Sequence, residues 1–246
     1  MTELLSNFFM AALNGLQFFT GSYAWAILLF TVAIKVLLYP LTEKQYRSMK
    51  EMQALQPEMR LLQEKYKNDS KRLQEEQQKL FTKHQVNPLG GCLPLFIQMP
   101  ILYGIYTTIM NFKHVFEGEH ISFLWMGSGS YLAQMLPDWY TVHAPALIRH
   151  FFPSFAIAKS LAEPDVPLLI LYGISMYLSQ KLTVTDPATA KQQASLNLIM
   201  PIMFTFMLYS WNFPSAMVLY WLSFNLLGLI QQAHIIRMPA TLTVRA

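Results

Sequence analysis

Residues Tyr23 to Pro40 set the strongest constraint on what this chain can fold into. Tyr-Ala-Trp-Ala-Ile-Leu-Leu-Phe-Thr-Val-Ala-Ile-Lys-Val-Leu-Leu-Tyr-Pro is an apolar run interrupted by a single charge, Lys35. As a helix rising about 1.5 Å per residue, Tyr23 to Tyr39 extends roughly 26 Å, close to the ~30 Å hydrocarbon core of a bilayer. An ammonium in such a helix costs a few kcal/mol by insertion scales, and ordinarily faces protein or water, so it marks a functional site. A second reading stands beside this one: Lys35 lies about four residues, roughly 6 Å, from the helix end, within reach of the interface for a snorkelling lysine stem.

Composition agrees with a membrane chain. Of 246 residues, 53% are hydrophobic and only 13% charged, which excludes a soluble enzyme with an ordinary core. The net charge of +4 is modest, but ten of the 18 Lys and Arg residues fall between Thr42 and Pro88, and that block is expected to be cytoplasmic. The single Cys92 excludes an internal disulfide.

The expected fold class is all-α and polytopic, with five transmembrane helices, a cytoplasmic helical hairpin and an amino-terminal interfacial helix. Residues 1–21 place Leu5, Phe8, Phe9, Ala12, Leu13, Leu16 and Phe19 on one helical face, with Ser6, Asn7, Asn14 and Gln17 opposite. That pattern suits a helix lying in the outer interface, or else an extension of the first span. The first span covers 22–41. Residues 42–88 then read as an antiparallel hairpin, because Met49, Met52, Leu55, Met59 and Leu62 recur at three and four residues, and a second such pattern follows the polar turn Asn68-Asp69-Ser70. Pro57 should kink or restart its first arm. Met49, Met52, Met59, Arg60, Lys71 and Arg72 form a candidate capture surface for ribosomes, nascent chains or anionic lipids; a solvated, self-packed hairpin is the plainer alternative.

The second span covers 92–111 and contains Pro94 and Pro100, with Gln98, Tyr106 and Thr107 as polar groups at depth. An extracytoplasmic connection rich in aromatics covers 112–165. The third span, 166–182, carries Ser175, Ser179 and Gln180. After a cytoplasmic loop at 183–194, the fourth span, 195–209, carries Asn197 and Thr205, and the fifth, 215–234, carries Tyr220, Trp221 and Asn225. A cytoplasmic tail covers 235–246. The basic residues cluster on one side of this topology, which puts the amino terminus outside and the carboxyl terminus inside. Polar residues of this kind serve as interhelical glue in many membrane proteins. Taken together with Lys35, for which the spans hold no Asp or Glu, they point instead to a hydrated cavity.

Several stretches carry a resemblance. Tyr39-Pro-Leu-Thr, Leu55-Gln-Pro, Asn87-Pro-Leu-Gly-Gly-Cys-Leu-Pro-Leu-Phe-Ile-Gln-Met-Pro, Gln180-Lys-Leu-Thr with Thr185-Asp-Pro, Met200-Pro-Ile-Met-Phe-Thr and Phe213-Pro-Ser-Ala-Met-Val-Leu-Tyr-Trp-Leu-Ser-Phe-Asn-Leu-Leu follow one another in the order seen in the YidC-type membrane protein insertases. The chain resembles that family, relatives of which serve mitochondria and thylakoids, in a short form without the large extracytoplasmic domain. The resemblance implies a five-helix core with a groove open to the cytoplasm and lipid, in which a positive residue of the first span receives hydrophilic client segments. That residue is usually arginine; the matching position here is Lys35. Expected partners are nascent membrane proteins, with the ribosome, the secretory translocon and anionic lipids as further candidates, in a bacterial plasma membrane.

No catalytic, metal or cofactor site is expected. The sequence holds no P-loop, HExxH or GxSxG pattern, its six His residues are scattered, and nothing suggests a nucleic-acid site. A transporter or channel would need a discriminating site and usually internal repeats, and an intramembrane enzyme would need a pair such as Lys35 with Ser175 or Ser179.

Overall fold

The computed structural model describes residues 2–84, 86, 93–118, 157–183 and 187–236, with isolated positions at 126, 135–137, 140 and 143–146. Most of the 112–165 connection, with Phe123, Trp125, Gly127–Ser130, Trp139, Phe151 and Phe152, lies outside the described residues, as do Cys92, residues 184–186 and the tail from 237. The regular elements among the described residues are α-helices: α1 Thr2–Thr20, α2 Tyr23–Ala54, α3 Gln56–Lys65, α4 Ser70–His84, α5 Leu93–Asn111, α6 Lys113–Gly118, α7 Val166–Thr183, α8 Pro187–Ser210 and α9 Ser215–Ile236.

A tight turn joins α1 to α2. Gly21 adopts φ 73°, a left-handed conformation that closes α1 through a 2.7 Å bond from its N–H to the Gln17 carbonyl. The two helices then meet through Tyr23 Oη, which donates to Asn14 Oδ1 at 2.6 Å, and an edge-on contact of Phe9 with Phe30. The carboxyl-terminal end of α5 closes the triangle, with Asn111 Nδ2 donating to Ser6 Oγ at 3.2 Å. At Gly104 a Cβ would fall 2.5 Å from the Phe9 ring, so the absent side chain is what lets α1 and α5 touch. The face that packs on the protein mixes the two sequence faces: Ser6 is buried against α5 with Phe9 and Leu13, while Phe8 and Phe19 are among the most exposed apolar residues.

Helix α2 does not stop at Pro40. It continues through the proline to Ala54 and carries Met49 and Met52, which periodicity had assigned to the hairpin's first arm. A mid-helix proline lacks an N–H and crowds the preceding turn. Beside it, Thr42 Oγ1 lies 3.1 Å from both the Leu38 and Tyr39 carbonyls, and Gln231 Nε2 of α9 reaches Thr42 Oγ1 at 2.7 Å and the Tyr39 carbonyl at 3.3 Å. The helical pair beyond α2 is therefore α3 and α4 alone. Pro57 sits in the first turn of α3, where its missing N–H has no helical partner to lose. The Asp69 carboxylate accepts the Arg72 N–H and so caps α4.

Helix α8, which holds the expected fourth span, also starts earlier than expected. Residues 187–194, assigned from sequence to a loop, are helical, since Pro187 suits a first turn and Ala-Thr-Ala-Lys-Gln-Gln-Ala contains good helix formers. At its other end α8 closes with Asn212 at φ 49°, and the Phe213 N–H reaches back to the Leu208 carbonyl at 3.1 Å.

The core runs along α9. On one side α9 packs against α2, in parallel, as the ascending pairs Thr31–Ser223, Thr42–Gln231 and Lys50–Ile235 show. On the other it packs against α7, which carries α8. The segment before α7 locks this arrangement. Asp165, fully buried, accepts the Leu168 N–H at 2.8 Å and the Ala158 N–H at 3.0 Å, while the Ser215 and Ala216 N–H groups donate to the Glu163 and Leu161 carbonyls at 2.8 and 2.9 Å. One short loop thus satisfies the orphan amides at the start of both α7 and α9.

Candidate functional site

Lys35 lies midway along the α2–α9 contact and is only 8% exposed. Its Nζ sits 3.8 Å from the centroid of the Phe224 ring. A Cβ added at Gly228, one turn further along α9, would fall 3.2 Å from that Nζ and 3.5 Å from Tyr46 Oη. Among the described residues no carboxylate pairs with it. The ammonium thus lies against an aromatic face and the gap left by a glycine, and no carboxylate among the described residues neutralises it.

Two further polar contacts cross the same interior. Gln98 Nε2 of α5 donates to Tyr220 Oη at 2.7 Å, and the Tyr220 ring lies 5.9 Å from Phe224, so Gln98, Tyr220, Phe224 and Lys35 form one continuous line. On the opposite flank of α9, Asn225 Nδ2 donates to Ser175 Oγ of α7 at 3.0 Å, and Ser175 in turn donates to the Tyr172 carbonyl at 2.7 Å.

Other candidates are placed differently. Trp221 stacks on Phe213 at 5.4 Å and on Tyr172 at 5.9 Å, and Tyr106 stacks on Phe213 at 6.0 Å, so Tyr106 and Trp221 belong to an aromatic column joining α5, α7 and α9. The Thr107 hydroxyl bonds to the Tyr103 and Gly104 carbonyls of its own helix. Thr205 Oγ1 is buried, without a hydrogen-bond partner among the described residues, and faces Gly173 so closely that a Cβ there would lie 2.6 Å from it. Beside this contact an apolar crevice of about 340 Å³ opens between α7 and α8, lined by Ile170, Ile174, Leu198 and Ile202 among others. Ser179, Gln180 and Asn197 are half-buried on α7 and α8.

Periodicity missed Phe224 and Tyr46 because each looks like ordinary packing. The available signal was the i, i+4, i+8 stripe Tyr220, Phe224, Gly228, with an aromatic and a glycine arranged one turn apart.

Of the capture candidates, Met59 and Arg60 lie half-buried on α3, and Lys71 and Arg72 are exposed at the start of α4. The α3–α4 pair buries Leu80 and His84, whose Nε2 lies 3.7 Å from Glu58 Oε2, beyond hydrogen-bond distance. On the outer face of α4 the Lys79 ammonium, 2.6 Å from Glu76, holds that carboxyl below its usual range.

Among the described residues, Tyr23–Met52 and Ser215–Ile235 are long and apolar enough to cross a membrane, and Val166–Leu182 and Asn197–Ser210 are apolar but shorter. Residues 15–241 match the family model described as 60Kd inner membrane protein. The membrane protein insertase YidC of Geobacter sulfurreducens is 39% identical over 234 residues, covering 93% of this chain and 37% of the relative. The YidC insertase of Citrifermentans bemidjiense is 38% identical over 227 residues, covering 91% of this chain and 35% of the relative. The chain thus spans little more than a third of the length of these relatives. A crystal structure of an active YidC insertase with its first transmembrane domain resolved superposes with a TM-score of 0.56 at 27% identity, covering 93% of this chain and 44% of that one. With a family match over nearly its whole length, relatives above a third identity and a shared fold, the chain belongs to the 60Kd inner membrane protein family, the membrane proteins whose relatives here are named YidC insertases.

Proposed function

We propose that this chain inserts proteins into the membrane without covalent catalysis. Helices α2, α5, α7, α8 and α9 cross the bilayer, α1 lies along its outer surface, and α3 and α4 stand in the cytoplasm with the carboxyl-terminal tail. The interior around Lys35 is hydrated and open to the cytoplasm and lipid. A hydrophilic segment of a nascent membrane protein enters it while the neighbouring apolar segment moves into lipid. Water and side-chain donors shorten the distance over which polar groups pay their transfer penalty, and no nucleotide is needed for that step. Gln98, Tyr220, Ser175 and Asn225 line this path. Met59, Arg60, Lys71 and Arg72, with Met49 and Met52 at the end of α2, meet clients, anionic headgroups, the ribosome or the translocon before entry.

The observation that carries this reading is the Lys35 ammonium, buried in the bundle and paired with no carboxylate among the described residues. A buried, unpaired charge in a membrane helix is costly unless water or an arriving anion serves it. An insertion assay in proteoliposomes, using clients matched except for an acidic or neutral leading segment, tests it. Lys35→Arg retains both clients and Lys35→Glu abolishes the acidic one. Lys35→Ala slows the acidic client roughly 5–30-fold, the equivalent of about 1–2 kcal/mol of lost attraction, and spares the neutral one. An acidic-to-neutral rate ratio left unchanged by Lys35→Ala would rule out a charge-based groove and favour a snorkelling lysine.

A further inference from the structure

We propose that Phe224, together with the gap at Gly228, is the device that positions the Lys35 charge, holding the ammonium by its aromatic face so that it stays fixed yet un-neutralised for an anionic client segment. The proposal rests on the insertase reading above and adds to it a specificity-determining residue.

A lysine buried between two helices has three ways to be held. A carboxylate would hold it most strongly, but would cancel the charge that an acidic client segment needs. Water alone would leave a four-carbon stem free to wander among rotamers. An aromatic face attracts the cation through its quadrupole, leaves its other side open to water, and leaves the net charge at +1. The geometry here is the third kind: Nζ lies 3.8 Å from the Phe224 centroid, well inside the range for such contacts.

Gly228 is the second half of the cradle. Its missing side chain leaves the space into which Nζ projects, since a Cβ there would sit 3.2 Å from the nitrogen. Tyr46 Oη borders the same gap, 3.5 Å from that position. Phe224 itself is anchored by the Tyr220 ring, and Tyr220 by Gln98, so the line from α5 through α9 to α2 sets where the charge stands. A client contacting Gln98 or Tyr220 would thus touch the same line that holds the ammonium.

The test uses the whole protein in proteoliposomes and the ratio of insertion rates for acidic and neutral matched clients. Phenylalanines carrying one, two and three ring fluorines at position 224 keep the size but weaken the ring's negative face in steps. The ratio should fall stepwise, to roughly a third with three fluorines. Phe224→Leu should give a similar loss, Phe224→Tyr should restore the ratio, and Gly228→Ala, which crowds Nζ, should lower it with the neutral client little changed. A ratio that is flat across the fluorinated series overturns the cradle while leaving the Lys35 groove intact, provided Lys35→Ala still discriminates between the clients. If Lys35→Ala fails to discriminate, the groove and the cradle fall together. Equal slowing of both clients by Phe224→Leu, with an unchanged fluorine series, assigns Phe224 to packing alone and also overturns the proposal.

Discussion

Asp165 is the most consequential carboxylate among the described residues, and its work is structural. Its two oxygens accept the Leu168 and Ala158 amides at 2.8 and 3.0 Å in a fully buried setting. Asp165→Ala removes a helix cap and strands two buried donors, which should cost about 2–4 kcal/mol. Asp165→Asn keeps one acceptor oxygen and should cost less. Thermal unfolding in detergent reads both; an unchanged midpoint for the alanine variant would show that water replaces the cap. The contrast with Lys35 is physical. A carboxylate receiving two amides is fully served by its own chain, whereas the ammonium beside Phe224 has a partner that does not neutralise it.

At the scale of helices, the α7–α8 contact turns on a single point. Gly173 and Thr205 approach so closely that Gly173→Ala must push the helices apart, since its new Cβ would lie 2.6 Å from Thr205 Oγ1 but 3.6 Å from Thr205 Cβ. Overpacking of this kind costs about 1–3 kcal/mol. Thr205→Ala alone should be near neutral, because the hydroxyl it removes has no partner among the described residues. The double variant should recover most of the loss, as the clash is with the hydroxyl. Melting temperatures of the four proteins in this cycle decide the matter, and additive effects would mean that the two positions do not meet. The same geometry gives Thr205 a packing explanation that does not need a groove.

Taken whole, the described helices pack α8 on α7, α7 on α9, α9 on α2 and α2 on α1, with α5 against α1 and reaching α9 through Gln98 and Tyr220. Helices α3 and α4 pack on each other and join the bundle through the end of α2 at Leu55, which is fully buried between α2 and α3. Deleting Asn68 to Ser70 should therefore leave the unfolding of the bundle unchanged to within about 0.5 kcal/mol while reducing client capture. A folded bundle lost on that deletion would make the pair part of the core.

The sequence by itself determined the class and most of the elements. Apolar runs of membrane length, basic residues concentrated in one segment and an ordered set of motifs need no tertiary information, because the bilayer imposes length and charge rules on each segment separately. It also singled out Lys35, since a charge in an apolar run is conspicuous in one dimension. Helix ends were less legible. The apolar run ends at Pro40, yet α2 passes through it to Ala54, and just beyond it Thr42 pairs with Gln231, 189 positions away. The site was legible only in part. Gln98, Ser175, Tyr220 and Asn225 were visible as polar groups at depth, but which of them pair, and that Tyr106 and Trp221 stack in a column instead, depends on the rotation of each helix about its axis. That rotation is decided by close approaches such as Gly104 on Phe9, Gly173 on Thr205 and Gly228 on Lys35. Each is a contact between distant segments, so a local pattern such as the Tyr220, Phe224, Gly228 stripe can mark one partner but not the pairing.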